Sequence, residues 1–332
     1  MAKILITGAN GFLGTHLSSR LLEQGHTVYG LVRNPKKIVV THPQFVVIKG
    51  DLNSAKLSWI DFLPDDLEVC IHTAGLVHSY QTDDFNKVNA EGLNFLLEAL
   101  KNKSNLINSF KFILISSLAS AGPVSFGEMK QENDPDFPVS YYGRSKKAAE
   151  EILKLHAPKN WIISIIRPPM IIGPGDTAVL DIFKMVKSRI IILPGINSKI
   201  KEYSFVCVYD LVDTIILVYK SNKSHFLYIA HDDVITFLEL VNQIKKCMKI
   251  KVLFYLPIPI LLIRWISKIL AFVHQFFNHN LRLTPDKIFE LEGSAWVCQN
   301  IKSKTILAQE YNYPIKKTIE VTYEDYCKRK WL

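Results

Sequence analysis

The sequence predicts an α/β protein built on a doubly wound parallel sheet, followed by a smaller mixed C-terminal lobe. Three observations support this fold class: short apolar runs alternate with longer amphipathic stretches, a glycine-rich turn follows the first run, and the alternation ends near Arg167. Such alternation is typical of a parallel sheet with helices on both faces. The 332 residues suffice for one large domain with an added lobe, or for two domains.

The predicted strands are short apolar runs, each separated from the next by a turn or by a helical pattern. In chain order they are 3–7, 27–32, 45–48, 68–72, 111–115 and 161–166, and the main predicted helices are 12–24, 83–101 and 140–156. Six strands of this kind complete a doubly wound sheet.

Composition and charge exclude several classes of protein. The chain has 48% hydrophobic residues and 40 Lys and Arg against 31 Asp and Glu, a formal charge of +9. It is therefore neither disordered nor fibrous. Its basic residues form scattered pairs and no longer run, which indicates solvated faces and not a nucleic-acid surface. We expect a small-molecule substrate and no nucleic-acid partner.

The cysteines and histidines lack the spacing of metal or disulfide sites. The five cysteines are far apart and form no CxxC, and His274 and His279 do not share the face of one helix. We therefore expect reduced thiols and no metal. We also expect a cytoplasmic protein, since the first residues contain no long apolar stretch. The longest uncharged apolar run, 252–263, is too short to span a membrane.

A glycine turn opens the first predicted helix. It reads Gly8-Ala9-Asn10-Gly11-Phe12-Leu13-Gly14 and lies at the sheet edge where cofactors bind in this architecture. Glycines let the backbone approach a pyrophosphate, and the N–H groups that begin the helix can bind it. We interpret the turn as a dinucleotide site of the Rossmann type.

The end of the second strand indicates which dinucleotide binds. A carboxylate there would bond the ribose hydroxyls of NAD, but segment 28–37 contains no acidic residue. Arg33 can instead bind a 2′-phosphate, with Lys36 or Lys37 as further cations. The sequence favours NADP(H), and NAD(H) is the alternative.

Tyr142 and Lys146 give the strongest catalytic signal. They lie four residues apart on predicted helix 140–156, so both side chains project from one face. A free phenol has a pKa of about 10, and a nearby ammonium can lower it enough for acid/base work. Ser116 and Ser117 end the fifth predicted strand, at the same sheet edge as the glycine turn. The alternative is an ordinary Tyr and Lys on a helix surface.

With these motifs the sequence resembles the short-chain dehydrogenase/reductase superfamily, in particular its extended branch, the NAD-dependent epimerase/dehydratase family. The matching segments are 7–14, 50–52, 72–75, 88–92, 116–117, 142–146 and 167–176.

The resemblance implies roles for individual residues. Tyr142 would donate or accept the proton, and Lys146 would hold the nicotinamide ribose and lower the pKa of Tyr142. Ser117 would bond the substrate oxygen, with Ser116 as the alternative. The implied cofactor-binding residues are Gly8, Asn10, Gly11, Phe12, Leu13, Gly14, Arg33, Asp51, Leu52, Thr73, Ala74, Gly75, Tyr142, Lys146, Pro168 and Ile171. Asp51 could equally cap a helix. The resemblance also implies a homodimer formed through helices 83–101 and 140–156.

The family's branches differ in the residues after the catalytic hydroxyl. Dehydratases carry acids there, whereas this chain has Leu118 and Ala119. Segment 27–35 is similar to dihydroflavonol reductases, and segment 117–123 fits reductases and hydroxysteroid dehydrogenases. We expect an NADP(H)-dependent oxidoreductase that transfers a hydride between the nicotinamide and a carbonyl or alcohol of a small apolar substrate. The alternatives are a nucleotide-sugar epimerase with tightly bound NAD and a non-catalytic dinucleotide sensor.

The predicted boundaries assign 1–167 plus about 202–230 to the dinucleotide-binding domain. About 168–201 plus 231–332 form the substrate-binding lobe. The irregular segment 122–138 is expected to be a wall or lid. Segment 252–277 is the most apolar part of the chain. A helix packed on the core of the lobe is favoured there over pocket lining or contact with a membrane surface.

Overall fold

The computed structural model describes residues 1–53, 57–104, 109–274, 276 and 283–332. Two compact units share the chain. The first holds Met1–Ser120, Tyr141–Arg167 and Val212–Leu227, and the second holds Ala121–Ser140, Pro168–Leu211 and Tyr228–Leu332. The sequence-based boundaries differ, since they assigned 121–140, 202–211 and 228–230 to the first unit. Phe277, the last residue of the predicted apolar segment, lies outside the described residues.

The strands of both units are numbered along the chain. They are β1 (Lys3–Thr7), β2 (Thr27–Val32), β3 (Phe45–Lys49), β4 (Val69–His72), β5 (Lys111–Ile115), β6 (Ile162–Arg167), β7 (Met170–Ile172), β8 (Ile190–Pro194), β9 (Glu202–Cys207), β10 (His225–Tyr228), β11 (Val234–Thr236), β12 (Phe254–Ile258) and β13 (Ala295–Trp296).

The helices are numbered in the same way. They are α1 (Phe12–Glu23), α2 (Thr82–Asn86), α3 (Gly92–Ser104), α4 (Tyr141–His156), α5 (Leu180–Lys187), α6 (Val208–Lys220), α7 (Phe237–Cys247), α8 (Ile260–His274), α9 (Pro285–Glu292), α10 (Ile301–Leu307) and α11 (Ile315–Lys328). Short 3₁₀ turns cover Pro35–Lys37, Ser58–Phe62, Leu118–Ser120 and Ile196–Ile200, and a π-helical turn covers Lys87–Glu91.

The first unit is built on a seven-stranded sheet in the order β3-β2-β1-β4-β5-β6-β10. The pairs from β3 through to β6 are parallel. The order reverses between β1 and β4, which is the switch point at which open α/β sheets bind ligands. The predicted doubly wound fold is confirmed. The seventh strand, β10, was not among the six predicted strands.

Apolar side chains on both faces of this sheet hold the helices in place. Leu17 and Leu21 of α1 are fully buried, and they lie one helical turn apart. A second cluster joins β4 and β5 to α3 and α4 through residues such as Phe112, Leu97 and Leu153. The ends of the strands are thereby fixed, and the loops at the switch point start from a rigid frame.

The second unit has smaller sheets and its own core. β9 pairs with β7 and β13 in parallel and with β11 antiparallel, while β8 and β12 form a separate parallel ribbon. Helices α5, α7 and α11 pack on a core that includes Phe183, Phe205 and Tyr326. Thr236 begins α7 with a capping box, which satisfies free N–H groups at the start of the helix.

The irregular segment 122–138 is tied to this second unit by backbone bonds. Val124 exchanges hydrogen bonds with Ala295, and Lys130 N donates to Val297 O over 2.9 Å. Gly122 has a φ of +85°, and a Cβ there would collide with the carbonyl of Phe137. The segment lines an open cavity of about 890 Å³ within the second unit. Its predicted role as a wall or lid stays a prediction.

Helix α8 is largely exposed, whereas the sequence favoured a helix packed on the core of the lobe. Only Ile263 and Ser267 of this helix are buried, and large apolar side chains cover its outer face. The helix packs against α9, and most of its surface, which is apolar apart from a few polar residues such as Arg264 and Lys268, lies in solvent. No helix of the described residues is long and apolar enough to cross a membrane.

Candidate cofactor and catalytic site

The glycine turn is a tight backbone structure between β1 and α1. Gly8 has a φ of +71° and donates to Leu31 O over 3.0 Å, and Gly11 N donates to Gly8 O over 2.8 Å. A Cβ at Gly8 would lie 2.9 Å from Ala74 Cα, and one at Gly14 would collide with the carbonyl of Gly8. The turn therefore needs glycine at both positions.

Helix α1 presents its N-terminus directly after this turn. The helix begins at Phe12 with Gly11 as its N-cap residue, and Thr15 N donates to Gly11 O over 3.0 Å. The N–H groups of the first turn precede the intrahelical ladder and are available to an anion. Leu13 and Gly14 are buried, so these positions could contact a cofactor only through their backbone.

A cavity of about 190 Å³ lies over this turn, within the first unit. Its walls come from the loops that follow β1, β2, β3 and β4. Among the predicted cofactor residues, the lining contains Gly8, Asn10, Gly11, Arg33, Asp51, Leu52, Thr73, Ala74 and Gly75, and it omits Phe12, Leu13, Gly14, Tyr142, Lys146, Pro168 and Ile171. The structure thus brings the loops of four strands to one cavity.

Arg33 follows β2 directly and lines this cavity. Its side chain is exposed, and the next residue, Asn34, starts the turn Pro35–Lys37 by accepting a bond from Lys36 N over 3.1 Å. Asp51 also lines the cavity; its side chain accepts from Asn53 N over 3.2 Å, while its carbonyl accepts from Trp59 Nε1 over 2.8 Å. The position after β2 therefore offers a cation, and the one after β3 a carboxylate.

Thr7, at the end of β1, links this strand to the loop after β4. Its hydroxyl lies 2.9 Å from His72 Nδ1 and accepts from Ala74 N over 3.2 Å, and its carbonyl accepts from Thr73 Oγ1 over 2.7 Å. Burial, with the nearby Lys146 ammonium as a second cause, lowers the pKa of His72 to about 3. A neutral imidazole thus supports the cavity floor.

Lys146 is a buried cation on α4. Its Nζ donates to Ile115 O at the end of β5 over 2.6 Å, and lies 3.7 Å from a Cβ placed on Gly75. Burial lowers the pKa of Lys146 to about 8, although the carboxylate of Glu150 acts in the opposite direction. Lys146 therefore reaches from α4 to the loop after β4, which also lines the cofactor cavity.

Tyr142 lies one turn before Lys146, on the same face of α4. It is half-buried, and its ring meets that of Phe85 edge to face with 6.2 Å between centroids. This contact holds the ring at the surface of the first unit, close to the start of α4.

The two serines after β5 are used differently. Ser116 is buried and its Oγ donates to Glu150 Oε1 over 2.5 Å. Ser117 is half-buried, and its Oγ accepts from Ala119 N over 3.1 Å. Because the Ser116 proton is committed to a buried carboxylate, this geometry favours Ser117 as the hydroxyl that can reach a substrate.

Glu150 and Arg167 form a buried ion pair that sequence reasoning did not identify as part of the site. Arg167 Nε donates to Glu150 Oε1 over 2.8 Å and Nη2 to Oε2 over 2.6 Å, and both side chains are at most 1% exposed. Ser120 Oγ also donates to Oε1, over 3.0 Å. The spacing of Tyr142, Lys146 and Glu150 at i, i+4 and i+8 indicates only that Glu150 shares their helix face.

Asn89 is a second residue to which the sequence gave no role. It is buried in the π-helical turn; Oδ1 accepts from Leu76 N over 2.7 Å, and Nδ2 donates to Ser145 Oγ over 2.9 Å. Helix 83–101 was predicted as continuous, whereas α2, the π-helical turn and α3 share this span. Turns of this type are frequent at functional sites, and this one fixes the loop after β4 to α4.

Pro168 and Ile171 belong to the second unit. Pro168 follows β6, and Ile171 lies in β7, where it pairs with Val206. Their predicted contact with the cofactor stays a prediction.

The residues of the first unit fit a dinucleotide. The glycine turn keeps side chains away from the N-terminus of α1, where a pyrophosphate would bind. The loops after β2 and β3 bound the part of the cavity that would receive the adenosine half, and Lys146 stands beside Gly75, where it would meet the nicotinamide half. When bound, such a group supplies or accepts a hydride.

Comparison with protein families finds a match over most of the chain. The model of the "NAD dependent epimerase/dehydratase family" matches residues 4–230. This range contains the glycine turn, both serines, Tyr142 and Lys146.

Curated relatives with several activities are similar to this chain. A ceramide reductase of Caulobacter vibrioides is 34% identical over 199 residues, which are 58% of this chain and 54% of that protein. A 3 beta-hydroxysteroid dehydrogenase/Delta 5→4-isomerase of Mycobacterium tuberculosis is 27% identical, with 62% and 57% covered. These matches span little more than half the length of the relatives. A UDP-glucose 4-epimerase of Vibrio cholerae is 29% identical over 272 residues, with 77% and 79% covered.

Solved structures share the fold along the whole chain. MoeE5 in complex with UDP-glucuronic acid and NAD has a TM-score of 0.77 at 20% identity, with 100% of both chains covered. The UDP-glucose 4-epimerase of Thermus thermophilus in complex with NAD has a TM-score of 0.76 at 19% identity, with 98% and 99% covered. At these identities the likeness concerns the fold alone.

Proposed function

Because the chain belongs to the NAD-dependent epimerase/dehydratase family, we propose that it is an NADP(H)-dependent oxidoreductase. The reaction transfers a hydride between the nicotinamide and a carbonyl or alcohol of a small, apolar substrate. The observation that carries the cofactor preference is Arg33, an exposed cation that lines the cavity directly after β2, where a carboxylate would favour NAD. A guanidinium at this place suits a 2′-phosphate through paired charge-assisted bonds.

The catalytic groups of the proposal are Tyr142, Lys146 and Ser117. Tyr142 donates a proton to the substrate oxygen during reduction, or accepts it during oxidation. Lys146, whose ammonium stands beside Gly75, holds the nicotinamide ribose and stabilises the phenolate of Tyr142. The Ser117 hydroxyl donates to the substrate oxygen and orients it towards the phenol.

The segment after Ser117 supports one hydride transfer in preference to dehydration. Elimination of water from a sugar needs an acid near the leaving hydroxyl. Leu118 and Ala119 occupy the positions after Ser117, and both are buried in the 3₁₀ turn. The similarity to a ceramide reductase supports a reductase with an apolar, lipid-like substrate.

The remaining cofactor contacts follow from the same proposal. Asn10, Gly11, Phe12 and Leu13 would bind the pyrophosphate through the glycine turn and the start of α1. Asp51 and Leu52 would cover the adenine, and Thr73, Ala74 and Gly75 would line the path towards the nicotinamide. Pro168 and Ile171 would bound the nicotinamide ring. A homodimer and a cytoplasmic location complete the proposal, and light scattering of the purified chain tests the dimer.

Cofactor titration tests the role of Arg33. We expect NADPH to bind more tightly than NADH, and Arg33→Ser to weaken NADPH binding by about tenfold to a hundredfold, with little effect on NADH. The matched control is Arg20→Ser on α1, an exposed arginine paired with Asp213 and Glu23. Equal affinity of the wild type for both cofactors would contradict the proposed preference.

Turnover of a substrate panel tests the reaction. The purified protein should consume added NADPH with long-chain or polycyclic ketones and aldehydes, and should retain no cofactor through purification. Oxidation of the matching alcohols with NADP⁺ provides the reverse assay. If the protein consumed NADPH with none of these compounds, the proposal of an apolar substrate would be contradicted.

A nucleotide-sugar epimerase is the second candidate, favoured by the match to the Vibrio cholerae UDP-glucose 4-epimerase over 77% of this chain. An epimerase oxidises and then reduces the same carbon, so it keeps its cofactor and shows no net oxidation. Recovery of bound NAD together with interconversion of UDP-sugars would establish this candidate in place of the reductase.

A further inference from the structure

Helix α8 presents a broad apolar face to solvent. Its exposed side chains are Leu261, Leu262, Trp265, Ile266, Ile269 and Phe272. At 3.6 residues per turn, these positions cover an arc of roughly 140°. Phe276, just beyond the helix, is 67% exposed and its ring meets that of Phe272 edge to face at 5.2 Å. A patch of this composition marks an interaction surface, because isolated exposed apolar residues are normal but contiguous ones are rare.

The ribbon of β8 and β12 adds a second apolar face in the same unit. Phe254 pairs with Ile190, and Leu256 pairs with Ile192. All four side chains are between 42% and 66% exposed, while Ile191 and Leu193 point to the other face and are buried in the core of the unit. β12 leads into α8 through Pro259, so one stretch of chain carries most of both surfaces.

The net positive charge of the chain around α8 indicates which kind of partner its apolar face would bind. Residues 240–276 contain six Lys and Arg and no Asp or Glu. Lys249, Lys251 and Lys268 are exposed, and Lys268 lies over the Trp265 ring with 5.6 Å between Nζ and the ring centroid. Arg264, on the edge of the apolar arc, is paired with Glu292 of α9. An apolar face bordered by cations is complementary to a lipid surface, in which hydrocarbon chains lie beneath negatively charged headgroups.

The dimensions of α8 suit a surface and not a span. Its 15 residues extend over about 22 Å, less than the ~30 Å hydrocarbon core of a bilayer. The buried line of Ile263 and Ser267 holds the opposite side of the helix on the protein. The helix can therefore lie in the interface plane with its aromatic residues at the level of the lipid headgroups.

We propose that the outward faces of α8 and the β8–β12 ribbon bind the surface of an anionic phospholipid bilayer. Trp265, Phe272 and Phe276 enter the interface, and Lys249, Lys251 and Lys268 contact the headgroup phosphates. The binding requires no turnover, so it stands independently of the proposed function.

Vesicle flotation with the full chain tests this proposal. We expect binding to vesicles of phosphatidylcholine mixed with phosphatidylglycerol, and much weaker binding to vesicles of phosphatidylcholine alone. The double variant Trp265→Glu/Phe272→Glu should lower the partition coefficient by at least about tenfold, because each apolar side chain that enters the interface contributes to binding. Both residues are exposed, so the variant should keep the wild-type melting temperature.

Matched controls separate the face from general surface effects. Phe62→Glu removes an aromatic side chain of the first unit that is 73% exposed, and it should bind vesicles like the wild type. Lys249→Glu/Lys251→Glu should weaken binding to the anionic vesicles by about thirtyfold or more. Lys159→Glu/Lys223→Glu, a pair of exposed lysines in the first unit, should have little effect.

Three results would overturn the proposal. The first is failure of the wild type to bind anionic vesicles. The second is undiminished binding by Trp265→Glu/Phe272→Glu. The third is a dimer in solution that this variant dissociates, which would assign the face to a second copy of the chain. Equal binding to both kinds of vesicle would remove the anionic headgroup from the proposal.

Discussion

Helices α4 and α8 have 16 and 15 residues, and they distribute polar and apolar side chains in opposite ways. α4 buries Lys146 and Glu150 and gives each a partner on the end of a strand. α8 buries little and exposes Trp265 and Phe272. Neither arrangement stabilises the fold by itself, because burying a charge costs free energy and exposed apolar surface contributes none. Each departure therefore supports one of the two proposals: a cofactor and substrate site at α4, and an anionic bilayer surface at α8.

The first prediction concerns Tyr142 and gives the largest effect. Tyr142→Phe should lower kcat by about 10²- to 10⁴-fold with an accepted substrate, because the proton donor is lost while the ring that packs on Phe85 is kept. Cofactor affinity, measured by fluorescence titration, should change little. Retention of wild-type turnover would show that the polar face of α4 is structural.

The second prediction separates buried from exposed charge on α4. Glu150→Gln should cost about 3–5 kcal/mol in the free energy of unfolding, because it leaves the Arg167 guanidinium without its carboxylate partner. Glu151→Gln is the control on the same helix. The Glu151 side chain is 58% exposed and lies 3.8 Å from Lys147 Nζ, so its loss should cost less than about 1 kcal/mol. Urea denaturation measures both, and equal losses would contradict the distinction.

The third prediction uses the pKa of Lys146, which burial lowers to about 8 from an ordinary value of 10.5. Between these values the unfolded chain binds more protons than the folded protein, so the contribution of Lys146 to stability rises with pH. Where the unfolded chain binds one proton more than the folded protein, the free energy of unfolding rises by about 1.4 kcal/mol per pH unit. Below pH 8 both states are protonated and the contribution is constant.

Unfolding of the cofactor-free protein at several pH values between 7.5 and 10 should reveal this slope. The free energy of the wild type relative to Lys146→Met should increase across the range, since other titrating groups cancel in the difference. Lys147→Met keeps Lys146 and should therefore track the wild type. A difference that stays flat with pH would show that Lys146 is not desolvated in solution.

Features that depend on a local pattern were predicted from the sequence. β1, β2 and β5 have the predicted bounds, because strands buried on both faces form continuous apolar runs between turn signals. The glycine turn, Tyr142 and Lys146 were found by spacing within a single helix or loop. β10 was missed because its four residues include His225 and have no flanking glycine turn.

Other features depend on contacts between distant parts of the chain. A glutamate four residues after Lys146 reads as an exposed ion pair, and nothing local indicates that Arg167, on β6, reaches it. The outer face of α8 was interpreted as core because its apolar residues surround the helix, and periodicity cannot then say which side faces inward. The partner of a side chain is a tertiary property, whereas its type and spacing are local ones.

The last prediction tests α8 with one residue type on its two sides. Ile263 is 6% exposed and Ile269 is 58% exposed, so Ile263→Ala should cost about 2–4 kcal/mol and Ile269→Ala less than about 0.5 kcal/mol. Thermal or urea unfolding of the lipid-free protein measures both. If Ile269→Ala were as costly as Ile263→Ala, and its cost grew with protein concentration, the outer face would be buried against another copy. If only Ile263→Ala is costly, the apolar face is solvent-exposed in the free protein, and burial there can contribute its full value to binding.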